Sequence, residues 1–342
     1  RSVDIKDTAR NNWQIDQALQ SASRNIEHHM HRVFYPSIAT HYWDWPNYQY
    51  AFPWRIWFDQ FELADVTVNP PVVMSGTQVL TAGNLFWGPW NDSPPYTYIE
   101  INRSTNTAFG VSTTPQRDVS ITGTFGYNIE SDPGGTLAAA ISSTSATTIT
   151  VSSAATSNVG TLLLVDSERM LVSDVATTST GQVNLSGATT ASASDNAITV
   201  TSGAAINVNE VLSIDSEKML AVDITGNTVT VVRAWDGTVL ATHSTSTAIY
   251  AYRSLTVARG FAGTTAATHS NSAPISAHRV PALIHDLAVA EASNTVLQRT
   301  SGYAEVGAAG YSLPNATLGA GLADLWDEAE TSHGRKSRRR VI

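Results

Sequence analysis

The sequence predicts an α+β fold. A helical core, made from an N-terminal helix and C-terminal helices, is expected to carry β-hairpins and an inserted, internally duplicated all-β region. Three observations predict this. Apolar residues recur at helical spacing near both ends of the 342-residue chain. Short aromatic segments with alternating patterning follow the first helix. Two motifs in the middle return at one constant offset.

The first helix rests on Ile15, Ala18, Leu19, Ala22, Ile26 and Met30, at three- and four-residue steps, and Tyr35-Pro36 stops it. Seven of the nine Trp residues (13, 43, 45, 54, 57, 87 and 90) fall in the first ninety positions. They sit in turn-punctuated segments such as "WRIWFDQFEL", "QVLTAGNLFWGP", "YTYIEIN" and "VSITGTFGYN". Tyr96, Tyr98 and Glu100 alternate against Thr97, Ile99 and Ile101, the period of a half-buried strand. Residues 1–134 are therefore the N-terminal part of the core.

From about 135 to 200 the composition turns to Ser, Thr, Ala and Gly, without aromatics. Regular patterning argues for structure rather than a linker. "ITVSSA" at 149 returns as "ITVTSG" at 198, and "LLVDSERMLV" at 163 as "LSIDSEKMLA" at 212, both 49 residues on. Gly226-Asn227 between alternating apolar residues reads as a hairpin turn. A second echo, "VVRAWDGTVLATHS" against "TVARGFAGTTAATHS", pairs Arg233 with Arg259, Trp235 with Phe261, Gly237 with Gly263 and His243 with His269, 26 residues apart. The expectation is two consecutive modules at about 136–196 and 197–278, within an insertion over 135–278. The first is expected to be degenerate, because it lacks the Arg-aromatic-Gly-Thr-His segment.

Residues 279–334 supply the closing helices. Pro281 suits a first helical turn, and Val280, Leu283, Ile284, Leu287 and Val296 form an apolar stripe. Leu322, Leu325, Trp326 and Ala329 mark the next helix, which also bears Asp324, Asp327, Glu328 and Glu330. Residues 335–342 are a basic tail containing Arg335, Lys336, Arg338, Arg339 and Arg340, followed by apolar Val341 and Ile342.

Composition narrows function. The net charge is −9 despite those five cations, so the rest of the chain repels polyanions and wholesale nucleic-acid binding is disfavoured. The absence of cysteine excludes disulfides, thiolate metal sites and a thiol nucleophile. No apolar run is long enough for a spanning helix, and no membrane partner is expected. No phosphate-binding Gly-rich loop, nucleophile elbow or His-Glu-x-x-His motif occurs, so neither enzymatic activity nor a cofactor is expected.

His28 and His31, three apart on the first helix, are an incomplete metal pair or a solvated face. His243 and His269, being duplicated, read as imidazoles that bond a loop carbonyl rather than perform catalysis, and duplicated Glu168 and Glu217 as framework. Asp44, Asp59 and Glu62 lie among Trp43, Trp45, Trp54 and Trp57, a composition compatible with a sugar cleft. The same aromatics, with Trp326, equally suit a core or a subunit interface.

The run "WQIDQALQSASRNIEHHMHRVFYP", then "YWDWP", "RIWFD", "PPYTYIEI", "AFG" and "QRDVSITGTFGYN", resembles the head–tail connector (adaptor or head-completion) proteins of long-tailed bacteriophages. "VPALIHDLAVAEASNTVLQR" and the basic end are similar to that family's closing segment. "VDSERMLV" with "TVARGFAGTTAATHSNSAPI" resembles phage copies of the first-catalytic-cysteine half-domain fold, named from ubiquitin-activating enzymes; without a cysteine no activity carries over. The resemblance implies a structural virion protein, made in the host cytoplasm and located at the neck. It would form a homo-oligomeric ring, usually of twelve copies, under the portal protein and above a stopper or tail-completion protein. Genomic DNA would pass through its channel without sequence-specific binding. Portal docking would fall on Arg335, Lys336, Arg338, Arg339 and Arg340, with Val341 and Ile342 as an apolar plug. The alternative is a glycan-binding virion or secreted β-rich protein, stacking sugars on the N-terminal aromatics or on Trp235 and Phe261.

Overall fold

A computed structural model describes residues 9–45, 53–91, 94–110, 113–185, 189–300 and 320–335. It overturns the helical core. Among the described residues strand outweighs helix, so β-structure is the body of the protein rather than an ornament on helices. The physical reason lies in the short aromatic segments: they do not decorate a helical layer but close on one another, with a core of their own. The chain divides into two compact units, one of Glu130–Arg279 and one drawing on Ser2–Ile129 and Val280–Ile342.

In the second of these units, helix α1 (Ala9–Met30) buries Ala18, Ala22, Ile26 and Met30, one residue per turn. Eight strands follow: β1 (Ser37–Trp43), β2 (Arg55–Trp57), β3 (Leu63–Asp65), β4 (Val72–Ser75), β5 (Gln78–Leu80), β6 (Leu85–Gly88), β7 (Tyr98–Ile101) and β8 (Val119–Phe125). They form one sheet in the order β1-β8-β4-β5, with β3 also on β8, and another in the order β2-β7-β6. Trp43, Ile56, Phe58, Leu63, Ile99, Ile121 and Phe125 share a buried aromatic-aliphatic core. Helices α2 (Ala282–Thr300) and α3 (Ala320–His333) complete the unit. The amides of Ile284 and His285 both donate to the carbonyl of Pro281, which opens α2 as expected of a proline in a first turn. Ile26, Met30 and Phe34 pack with Ile284, Leu287 and Ala329, and Ala18 and Ala22 meet Ala292 and Val296.

The unit 130–279 contains β9 (Ser131–Thr136), β10 (Thr148–Thr150), β11 (Leu162–Val165), β12 (Glu168–Val183), β13 (Ala197–Thr199), β14 (Val211–Ile214), β15 (Glu217–Thr225), β16 (Thr228–Val232), β17 (Ala248–Ala258) and β18 (Pro274–His278). All ten belong to one antiparallel sheet. Two hydrophobic cores lie within it. One gathers Ile149, Leu163, Met170 and Val172 with Leu255, Val257 and Ile275; the other gathers Ile198, Leu212, Met219, Ala221, Val229, Val231 and Ile249.

The modules are therefore nested, not consecutive. The outer module is assembled from about 131–176 and 254–278, and the inner one lies between these halves. Nothing is degenerate: the Arg-aromatic-Gly-Thr-His segment that the first unit lacks in sequence is supplied by residues 259–269, beyond the inserted module. Outer strands run in the order β10, second half of β17, first half of β12, β11, β18, β9. Inner strands repeat that order as β13, β16, β15, β14, first half of β17, second half of β12. Two long strands thus serve both bodies.

Glu210 ties the modules together. Its Oε1 accepts from the Ala154 amide at 2.9 Å and from Arg253 Nε at 2.8 Å, and its Oε2 accepts from Arg253 Nη2 at 2.6 Å and from the Asn207 amide at 2.9 Å. Burial pushes this carboxyl up, but Arg253 and the two amides outweigh it and hold it below the ordinary range.

Candidate functional site

Each module contains the same polar cluster, buried except for its aspartate and built on a hairpin. Val165 pairs with Glu168 across the Asp166-Ser167 turn, and Ile214 pairs with Glu217 across Asp215-Ser216. Asp166 and Asp215 both take φ 51°, the left-handed conformation that short polar residues tolerate. The turn aims the aspartate at a histidine: Asp166 Oδ2 is 2.7 Å from His269 Nδ1, and Asp215 Oδ2 is 2.8 Å from His243 Nδ1. The other ring nitrogens reach Glu168 and Glu217, at 2.8 and 2.9 Å.

Arginine completes the set. Arg259 donates Nε and Nη2 to Glu168 at 2.7 and 2.8 Å, and Arg233 does the same to Glu217. The amides of Gly260 and Ala267 also donate to Glu168, and those of Ala234 and Ala241 to Glu217, all at 2.9 Å. Desolvation alone would raise these carboxyls. The arginine, the two amides and the histidine reverse that, so both lie at about 2. Every acceptor direction of the glutamates is occupied, and the arginines spend their remaining donors on loop carbonyls: Ala146 and Ala267 in the outer module, Asp195 and Ala241 in the inner one. Chemically, this arrangement fixes the two ends of a loop. It leaves no free lone pair on either glutamate to abstract a proton.

A different cluster lies where the basic run begins. Glu62 is buried, and Arg32 donates Nη2 to its Oε1 at 3.1 Å with Nε 3.0 Å from Oε2. Arg32 Nη1 also holds the His333 carbonyl at 2.6 Å, and its guanidinium lies 5.1 Å from the centre of the Tyr127 ring. His333 Nδ1 is 3.0 Å from the Tyr127 hydroxyl; burial and the nearby Arg32 charge both lower its pKa. The Gly334 amide donates to the Glu330 carbonyl and the Arg335 amide to the Met30 carbonyl, while Arg335 Nε stands 3.9 Å from Glu62. Arg335 is thus folded back on its own unit. Lys336, Arg338, Arg339, Arg340, Val341 and Ile342 lie outside the described residues.

The carboxylates singled out as a sugar cleft are engaged separately. Glu62 serves Arg32, Asp44 Oδ1 accepts from the Arg117 amide at 2.7 Å, and Asp59 is exposed at a left-handed turn. Of the aromatics, Trp43 is buried in the β-core, and Trp45 and Trp54 pack against it, Trp54 beneath the Arg103 guanidinium. Trp57 is tilted against Tyr98, and the Arg55 guanidinium lies over both rings. Trp326 packs in the helical cluster against His29. Trp235 is partly exposed beside the Lys218–Asp236 ion pair. His28 and His31 are exposed with ring centres 6.1 Å apart, and among the described residues no group of three or more His, Asp or Glu side chains could hold a metal.

Three further features escaped the sequence reading. Glu210 and Arg253 carry no repeat signal, since the equivalent outer position of Glu210 is Thr161. Arg32, thirty residues from Glu62, has no spacing that would pair them. A cleft of about 270 Å³, lined by Val66, Leu85, Phe86, Trp87, Trp90 and Tyr96, opens beside the exposed Trp90. No helix among the described residues is long and apolar enough to cross a membrane. Compared with protein families, curated proteins and solved structures, the chain matches none.

Proposed function

We propose that this chain is a structural assembly subunit, a connector that seats on a partner ring at the junction between a bacteriophage capsid and its tail. One observation carries the reading. Arg335, the first cation of the basic run, is fixed on buried Glu62 beside the end of α3, so the following cations start from a defined point on the unit. A cationic segment launched from a rigid support docks into an acidic groove at lower entropic cost than one on a free linker, and a ring multiplies the contact. The duplicated polar clusters support the same reading, because their glutamates are committed to holding loops.

The test replaces Lys336, Arg338, Arg339 and Arg340 by Glu in the full chain, leaving Arg335 in place. Association with the portal ring and with duplex DNA is then measured separately. Portal association lowered at least tenfold is expected. Unchanged portal binding overturns the proposal, and loss of DNA binding alone would transfer the basic run to phosphate contacts.

Saccharide binding is the second reading, favoured by the exposed Trp90 beside its aromatic cleft rather than by the Trp43–Trp57 set. A glycan array with wild type and Trp90→Ala decides it: sugar signals that Trp90→Ala abolishes promote this reading, and silence retires it.

A further inference from the structure

The outer and inner modules match residue by residue around one hairpin. In the inner module, β15 and β16 pair Leu220 with Val232, Ala221 with Val231, Asp223 with Thr230, Ile224 with Val229 and Thr225 with Thr228. In the outer module, β12 and β17 pair Leu171 with Ala258, Val172 with Val257, Asp174 with Thr256, Val175 with Leu255 and Ala176 with Ser254. These are the same five pairs at the two sequence offsets, with the bulge at the same place. The neighbouring strand agrees as well: β13 meets β16 as Ile198 to Val229, and β10 meets β17 as Ile149 to Leu255.

The hairpins differ only at their tips. Between Thr225 and Thr228 the inner module closes with Gly226, at φ 61°, and Asn227. Between Ala176 and Ser254 the outer module carries everything from 177 to 253. One backbone bond shows that the closing geometry survives this exchange. The Val200 amide donates to the Asn227 carbonyl at 2.8 Å, and at the equivalent position the Val151 amide donates to the Arg253 carbonyl at 3.0 Å. Each module also has its own closed core and its own Glu-Arg-His-Asp cluster.

We infer that residues 177–253 are a removable accessory domain seated in the turn of the outer module's hairpin, and that Gly226-Asn227 marks the equivalent acceptor point on the inner module. Besides a two-residue turn, the outer module takes from the insert only peripheral bonds: Glu210 accepts its Ala154 amide, and the Asn207 side chain donates to its Ser152 carbonyl. Joining Ala176 to Ser254 through Gly-Asn removes both partners of the Glu210–Arg253 tie together, so no buried charge is stranded. The inner module can therefore be exchanged or lost while the outer module keeps its fold. This inference is independent of the connector reading.

Two measurements test it. The first uses hydrogen exchange on the full chain carrying Glu217→Gln: amide protection is expected to fall at least tenfold within 184–250 and to stay within twofold in 131–172 and 255–278. Equal loss in both regions would show a single cooperative body and overturn the inference. The second deletes 177–253 with a Gly-Asn closure: a monodisperse chain whose 131–172 and 255–278 amides remain protected is expected. Unprotected outer strands in that chain overturn the inference as well.

Discussion

Arg259 and Glu168 stand 91 residues apart in sequence and meet through two parallel hydrogen bonds in the outer module. Their side chains are 6% and 0% exposed, so the pair is desolvated and its partners cannot be replaced by water. The bond also staples the two halves of a module that another module interrupts.

Replacing Glu168 by Gln leaves Arg259 charged and half-satisfied in a buried site. Removing one partner of such a pair costs about 3 kcal/mol or more. Urea unfolding followed by tryptophan-independent hydrogen exchange in 131–172 and 255–278 should show a loss of that size in the outer module, and Glu217→Gln should do the same in the inner one.

Acid should act through the same two carboxyls. Their folded-state pKa of about 2 lies below the ordinary value of 4.5, so the stability they contribute is fully present above about pH 4.5 and is lost as pH falls toward 2. The linkage amounts to roughly 3 kcal/mol for each group. An unfolding midpoint measured from pH 6 to pH 2 should drop steeply in that window, and the Glu168→Gln, Glu217→Gln double variant should show a shallower slope.

Ala234 adopts φ 52° at the position where the outer module has Gly260, at φ 59°. A side chain in the left-handed region costs about 1 kcal/mol, and glycine's extra unfolded-state freedom offsets only part of that. Ala234→Gly should raise the inner module's stability by about 0.5 kcal/mol. Gly260→Ala should destabilise the outer one by more, since its added methyl would stand 3.2 Å from the Ala266 amide and the Thr264 carbonyl. Thermal shift of both single variants checks the opposite signs.

Glu62→Ala should remove the buried carboxylate that Arg32 and Arg335 both approach. Arg32 then remains largely buried without its carboxylate, at a cost of about 3 kcal/mol. Amide exchange at Gly334 and Arg335 should rise first, because their anchoring bonds depend on Arg32 holding the His333 carbonyl. Unchanged protection there would remove Glu62 from the role given to it.

What the sequence disclosed depended on whether partners repeat. Both offsets were legible, as was the framework role of Glu168 and Glu217, because duplication exposes what a loop requires; His243 and His269, expected on loop carbonyls, instead turn both ring nitrogens to carboxylates. Nesting was not legible. The segment 255–270 follows the inner module in the chain while its apolar residues Leu255 and Val257 face the outer core, and only strand pairing distinguishes the two assignments. The α1 stripe of Ala18, Ala22, Ile26 and Met30 was plain from its period. The dominance of β-structure was not, because three-residue strands such as Arg55–Trp57 are too short to announce a sheet before their partners are known. Glu62 drew notice for its tryptophan neighbours, whereas its binding partners came from a helix end and a distant segment.

The strand Ala248–Ala258 crosses from one body to the other with no loop between its two halves. Glu168–Val183 runs beside it in the opposite direction. Two hydrogen-bonded struts therefore join the bodies where most inserted domains hang on slack tethers. The register of this shared ladder shifts between Ala176 and Thr178, where the bodies meet, so a load applied to the far body reaches the near one through the two continuous backbones.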